Sequence, residues 1–281
     1  MFRLVELKKM KSALKCLRLL NNLSVDVMGG AIASSIFFST VFQTPISIFV
    51  LALLGLSVWI IYTIDHLLDV KNSKPIIMSD RHIFHQRNSR TIKLGLATAF
   101  LLTSFLVFQL PNTVIYAGVV LAIIIAAYIF FNKRLGASKE LMAALFYCAG
   151  VCLPALVFVE TQLPLVYRLL ITQFFITALT NLILFALMER DEDKANRFNS
   201  IATLKSTQQV NFLLVLLYLV SIGLFLFQLK LSMQWMPSGI LFFMNLVLCL
   251  LFIFRNALFV RTHYRLIGDG IFLMPIVILF F

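Results

Sequence analysis

Two pairs of carboxylates, Asp65 with Asp69 and Glu189 with Asp193, are the residues of this 281-residue chain best suited to chemistry. A four-residue spacing on an α-helix stacks two side chains on one face. Two like charges held there cost a bare helix roughly 0.2–0.5 kcal/mol, so each pair asks for a compensating cation. Oxygen ligands in this number suit Mg2+, which takes one or two carboxylates, keeps part of its water and completes its shell with substrate phosphate. Two such pairs facing each other, with basic residues nearby, make a diphosphate site. The segments that carry them, together with Asp80, hold seven of the twelve acidic residues of the chain.

The elements that must position these pairs are membrane spans. A helix needs about 20 apolar residues to cross a hydrocarbon layer, and nine stretches qualify: Ser24 to Phe42, Pro45 to Ile64, Lys93 to Leu110, Thr113 to Phe131, Leu141 to Val159, Leu165 to Met188, Val210 to Leu229, Met236 to Phe254 and Leu266 to Phe281. The first carboxylate pair then lies at the end of the second span and the second pair at the end of the sixth. Lys and Arg collect in loops kept in the cytoplasm, and twenty-two of the twenty-four fall on one side of this scheme, leaving only Arg168 and Lys230 opposite. The N-terminus and both carboxylate pairs are therefore expected inside, in a bacterial-type inner membrane. The connections on the other side are short and nearly uncharged, whereas two inner loops exceed twenty residues, and long loops in compact proteins tend to carry function.

Composition agrees with an all-α polytopic bundle: 61% hydrophobic residues and a mean hydropathy of +0.97 exceed what a soluble domain carries. A net charge of +12 would suggest nucleic acid in a soluble protein. Here the basic residues border spans, where topology and anionic headgroups of membrane lipid account for them, and no nucleic-acid partner is expected. Cys16, Cys148, Cys152 and Cys249 lie in or beside spans and form no disulfide framework. Residues 1–22 interleave Leu4, Leu7, Met10, Leu14, Leu17 and Leu20 with lysines, which fits a basic amphipathic surface helix and not a cleavable signal sequence. Residues 23–281 then form one transmembrane domain.

Two further readings stay open on the residues alone. His66, His82 and His85 share the first inner loop with Asp65, Asp69 and Asp80, which admits a zinc or di-metal hydrolase, although no HExxH spacing occurs. The near absence of charge mid-span, with Asp26 and Asp269 the only other acidic residues there, admits a transporter or a lipid-binding protein, although no internal repeat stands out.

The chain also resembles the UbiA superfamily of intramembrane prenyltransferases, whose two Asp-rich motifs lie on inner loops of a nine-helix bundle. Asp65 and Asp69 match the second half of the family's NDxxDxxxD motif. Glu189-Arg-Asp-Glu-Asp193, followed by Asn199-Ser200-Ile201-Ala202-Thr203, resembles the second motif and its polar sequel. Tyr128 with Lys133 and Arg134 resembles the Tyr and Lys-Arg region after the fourth helix that contacts diphosphate. The departures are Ile61 and Tyr62 where the family carries Asn and Asp, Glu for Asp at 189, and Lys74-Pro75 in a closer position than the family's Arg-Pro.

The resemblance implies Mg2+-dependent transfer of a prenyl group from a prenyl diphosphate to a lipophilic, aromatic acceptor. It implies Asp65, Asp69, Glu189 and Asp193 as metal ligands. Tyr128, Lys133, Arg134, Lys74 and Arg197 are its candidate contacts to the substrate. A terpene cyclase of the same scaffold, which quenches the carbocation internally, is the alternative among enzymes. No protein partner is identified.

Overall fold

The computed structural model describes residues 14–72, 80–131, 136–160, 162–231 and 235–281. These residues are helical almost throughout and contain no strand. Backbone polar groups within a bilayer have no water to bond, and a helix satisfies them inside its own segment. Nine helices among the described residues are long and apolar enough to cross a membrane.

We number the α-helices α1 (Val25–Phe42), α2 (Ile48–Asn72), α3 (Asp80–Arg87), α4 (Ser89–Val107), α5 (Asn112–Phe131), α6 (Lys139–Leu156), α7 (Leu165–Met188), α8 (Arg190–Ala195), α9 (Ile201–Leu204), α10 (Thr207–Leu231), α11 (Trp235–Ile253) and α12 (Leu258–Gly270). Residues 14–22 are also helical, and a 3-10 segment, Ile271–Phe280, completes the last span.

Helices α1 and α7 form the centre, with 61% and 67% of their apolar windows buried, whereas α5, at 6%, stands at the edge of the bundle with one face on the cavity. The centre is aromatic: Phe37, Phe38 and Phe174 are fully buried, and the Phe38 and Phe174 rings meet edge to face at 5.3 Å. Helix α1 approaches the terminal 3-10 segment closely because it offers small residues. A Cβ on Gly30 would lie 2.7 Å from Phe272 Cβ, and Ser34 donates to the Phe272 carbonyl at 3.2 Å. A polar knot joins α7, α10 and α11. Gln173 Oε1 accepts from Gln228 at 2.8 Å and Ser238 at 3.0 Å, and Asn245 donates to Thr177 at 2.8 Å.

The spans follow hydropathy except at two places, both at the charged end of the bundle. The loop after α2 contains the short helix α3, and the third span begins at Ser89. The last span begins at Leu258, eight residues before the expected Leu266, and runs to Phe280. Its first half is amphipathic: Leu258 and Phe259 face outward at 80% and 65% exposure, while Gly268 and Asp269 are buried. Hydropathy averages such a stretch to near zero and so assigns it to a loop. The α geometry ends at Gly270 because Pro275 lacks a backbone N–H and its ring crowds the Ile271 carbonyl one turn back.

Candidate functional site

A cavity of about 420 Å3 opens at the charged end of the bundle, between α2, α5, α6, α7 and α12, with α3 and residues 198–200 at its rim. Asp65 and Asp69 enter it from the end of α2, and Glu189 and Asp193 from the junction of α7 and α8. Helix α7 stops at Glu189, which then leads α8, so the pair straddles the break and both carboxylates turn to the same space. The Asp193 amide continues the helical pattern by donating to the Glu189 carbonyl at 2.8 Å.

At the first pair, Asp65, His66 and Asp69 each bring a ligand atom within 4.8 Å of the others. His66 is held from behind by Arg81, whose Nη1 lies 3.1 Å from Nε2. A guanidinium only donates, so Nε2 accepts and the ring proton belongs on Nδ1. Arg81 is itself buried at the foot of α3, donates to the Asn21 carbonyl at 3.1 Å and pairs with Asp269 at 3.7 Å. Asn21 in turn donates to Asp26 at 2.5 Å and to Asp269 at 2.9 Å. Burial lowers Arg81 from its ordinary range, Arg265 adds to this, and the carboxylates of Asp269 and Glu189 oppose it. One turn on, burial also lowers His85, whose Nδ1–H donates to the Arg81 carbonyl at 3.0 Å. This network ties the leading helix, α1, α3 and α12 together behind the first carboxylate pair.

The second pair has its own partners. Glu189 Oε1 is paired with Arg265 and accepts from the Tyr264 hydroxyl at 2.5 Å. Burial pushes the Asp193 carboxyl up to about 6, the Glu189 charge adds to this, and Lys139 opposes it. Lys139, at the start of α6, lies within electrostatic reach of Asp65 and Asp69 and lines the cavity between the two pairs. Its neighbour Glu140 accepts from the Ile201 amide at 3.0 Å and so fixes the 198–204 segment against α6. His82 lies 3.6 Å from Glu192 and joins α3 to α8 across the rim.

Of the residues expected from the sequence, Asp65, Asp69, Glu189, Asp193 and Tyr128 line this one cavity. The Tyr128 hydroxyl donates to the Lys139 carbonyl at 3.2 Å, which anchors the start of α6. Arg197 is exposed in a left-handed turn, φ 58°, and does not line the cavity; the turn that closes α8 aims it outward. Lys74, Lys133 and Arg134 lie outside the described residues. Three cations that the sequence reading treated as topology-setting loop charges, Arg81, Lys139 and Arg265, are cavity walls instead. For Arg265 a signal existed: Tyr264, Arg265, Gly268 and Asp269 recur at helical spacing and mark one face of a helix.

No family model matches the chain, and no curated protein matches it in sequence. Solved structures do match in shape. A UbiA homologue from Aeropyrum pernix K1 superposes with a TM-score of 0.63 at 12% identity, covering 92% of this chain and 98% of that one. A UbiA homologue from Archaeoglobus fulgidus bound to DMAPP and Mg2+ gives 0.63 at 13%, over 91% and 96%. The A. fulgidus homologue bound to GPP and Mg2+ gives 0.63 at 12%, over 93% and 99%. The chain therefore has the fold of the UbiA homologues along nearly its whole length.

Proposed function

We propose that this chain is a UbiA-type intramembrane prenyltransferase that transfers a prenyl group from a prenyl diphosphate to a lipophilic acceptor. The observation that carries the reading is convergence. Carboxylate pairs more than a hundred residues apart in the chain meet at the mouth of one cavity, and the rest of that cavity is apolar enough to take an isoprenoid tail. The structural likeness to homologues bound to DMAPP or GPP with Mg2+ supports the same substrate class. The excess of Lys and Arg at the charged end supports its facing the cytoplasm.

The donor set fits a hard cation. Asp65, Asp69 and Asp193 offer carboxylate oxygens, Glu189 keeps one oxygen in its ion pair, and Asp193 is held near 6 by burial and a like charge that a cation would offset. These four residues would hold Mg2+, which when bound supplies positive charge against a leaving diphosphate. Lys139 lines the cavity where it can donate to diphosphate oxygens and stabilise the charge that grows there as the C–O bond breaks, while Arg81 and Arg265 hold Asp269 and Glu189 in place. The apolar wall of α2 and α5 holds the tail and excludes water from the allylic cation. Phe198 and Phe272 line the same space, and aromatic rings can stabilise a cation. The acceptor's π electrons then form the new bond to the prenyl carbon, and its proton leaves to solvent at the rim.

The test is turnover of geranyl diphosphate by the full chain in detergent, with diphosphate release and product mass followed together. Wild type should act only with Mg2+, and Asp65→Ala and Asp193→Ala should abolish turnover while leaving the protein folded. Undiminished activity in both variants would refute the site. A cyclised product formed without acceptor would replace transfer by cyclisation.

A further inference from the structure

The apolar part of the cavity is a furrow between α2, α5 and α6, and the residues that line it form one stripe on each helix. On α5 they recur at Val114, Gly118, Leu121, Ile125 and Tyr128, a spacing that keeps them on one helical face. On α6 the stripe runs through Ala143, Tyr147, Gly150 and Pro154. The furrow ends against a cluster in which the buried Val50, Leu110 and Val114 pack with Val157 and Phe158. This floor lies at the end of the bundle away from the carboxylates.

The helices themselves measure its depth. Asp65 lies fifteen residues from Val50 on α2, so at about 1.5 Å per residue the first carboxylate pair is about 22 Å above the floor. Gly118 is four residues from Val114 and Gly150 seven from Val157, which places them about 6 Å and about 10 Å above the floor at the same rise. Both glycines sit near the middle of their stripes, and their missing side chains leave room. A Cβ on Gly118 would meet nothing within 4 Å, and one on Gly150 would meet only Leu121, at 3.9 Å. Ser57, seven residues from Val50 and so level with Gly150, is small as well and lines the same furrow. The furrow therefore stays open at the depth where bulkier residues would close it.

A linear apolar tail fits such a furrow, and its length follows from the depth. An isoprene unit adds four carbons to the chain and extends it by about 5 Å, given C–C bonds of about 1.5 Å. Four units reach about 20 Å and span the distance from the carboxylates to the floor, whereas a fifth would meet Val50 and Val114. Gly150 then lies beside the third unit and Gly118 beside the fourth.

We propose that Gly118 and Gly150 set the length of the donor: they keep the furrow open for the third and fourth isoprene units, so that this chain takes a prenyl diphosphate of up to four units, geranylgeranyl diphosphate. The proposal rests on the prenyl-transfer reading for the diphosphate, and on the furrow alone for the tail. Its test is equilibrium binding of geranyl, farnesyl and geranylgeranyl diphosphate with Mg2+, and of geranylgeraniol, to the full chain in detergent. Each ligand is compared with itself between wild type and variant, so its partition into detergent cancels. Gly118→Phe should weaken geranylgeranyl diphosphate at least about tenfold, a fraction of what burying the five carbons of one unit is worth. Gly150→Val should weaken farnesyl and geranylgeranyl diphosphate alike, again about tenfold. Geranyl diphosphate, whose two units end above both glycines, should lose far less in either variant. Geranylgeranyl diphosphate bound equally by wild type and both variants overturns the proposal and leaves the prenyl-transfer reading standing. An equal loss for all three diphosphates also overturns it, because the effect would not follow length. If wild type binds geranylgeraniol but no prenyl diphosphate, and both variants weaken the alcohol about tenfold, the furrow stands and the prenyl-transfer reading falls.

Discussion

Asn in place of Asp193 should make the metal-free protein more stable while destroying its activity. Burial and the Glu189 charge carry this carboxyl from 3.8 to about 6. A rise of that size withholds about 3 kcal/mol from the charged form, and solvent reaching about a third of the group reduces this to roughly 1–2 kcal/mol. The folded-state value is the higher one, so the folded state binds its proton more tightly. The stability associated with that proton is fully present below pH 3.8, where both states are protonated, and is lost as the pH rises through 6. Asn carries no such penalty. In chelator at pH 7.5 the Asp193→Asn variant should therefore melt about 2–4 °C above wild type, and at pH 4 the difference should shrink to near zero. Adding Mg2+ with a non-hydrolysable prenyl diphosphate analogue should raise wild type and leave the variant nearly unchanged. Thermal unfolding followed by intrinsic fluorescence in one detergent reads all three. A variant no more stable than wild type at pH 7.5, or an advantage that persists undiminished at pH 4, would refute the reasoning.

Removing Arg265 by Arg265→Met strands Glu189 in a partly buried site and should cost about 1–3 kcal/mol; the Glu189→Gln, Arg265→Met double variant should recover part of that, and strictly additive losses in a thermal-unfolding cycle would show the pair is not coupled. Gly30→Ala places a Cβ 2.7 Å from Phe272 Cβ and should destabilise by about 1–3 kcal/mol. Gly223→Ala meets nothing within 4 Å and should leave melting unchanged or raise it slightly. The two melting curves compared side by side check the close packing of α1 on the terminal segment.

Most of the bundle is legible in the sequence because a membrane span is a local property: twenty apolar residues need no knowledge of their neighbours. The carboxylate pairs are legible for the same reason, since a spacing of four within one helix is read without a fold. The cations are not. Arg81, Lys139 and Arg265 look like any other loop charge until α3, α6 and α12 are folded against the cavity, because their roles depend on contacts across sequence separations as large as that between Arg265 and Glu189. The apolar aromatic count likewise says nothing of which Phe meets the cavity. Phe272 does so only because Gly30 and its small neighbours let the terminal segment approach α1.

Charge explains why the site is arranged as ion pairs around a remaining acidic mouth. Among the described residues, six carboxylates and three Lys or Arg side chains line the cavity. Unpaired, that many buried charges at the end of a membrane bundle would cost several kcal/mol each. Arg265 with Glu189 and Arg81 with Asp269 offset the largest part where the wall is most buried. The excess that remains is negative: Asp65, Asp69, Glu140 and Asp193 share Lys139 at the mouth. A diphosphate is itself anionic, so this mouth repels it until cations are present. Under the proposed function, binding of metal and diphosphate would be mutually dependent by electrostatics alone. Under that reading, the raised Asp193 carboxyl, at about 6, is a strain that a cation bound beside it would relieve.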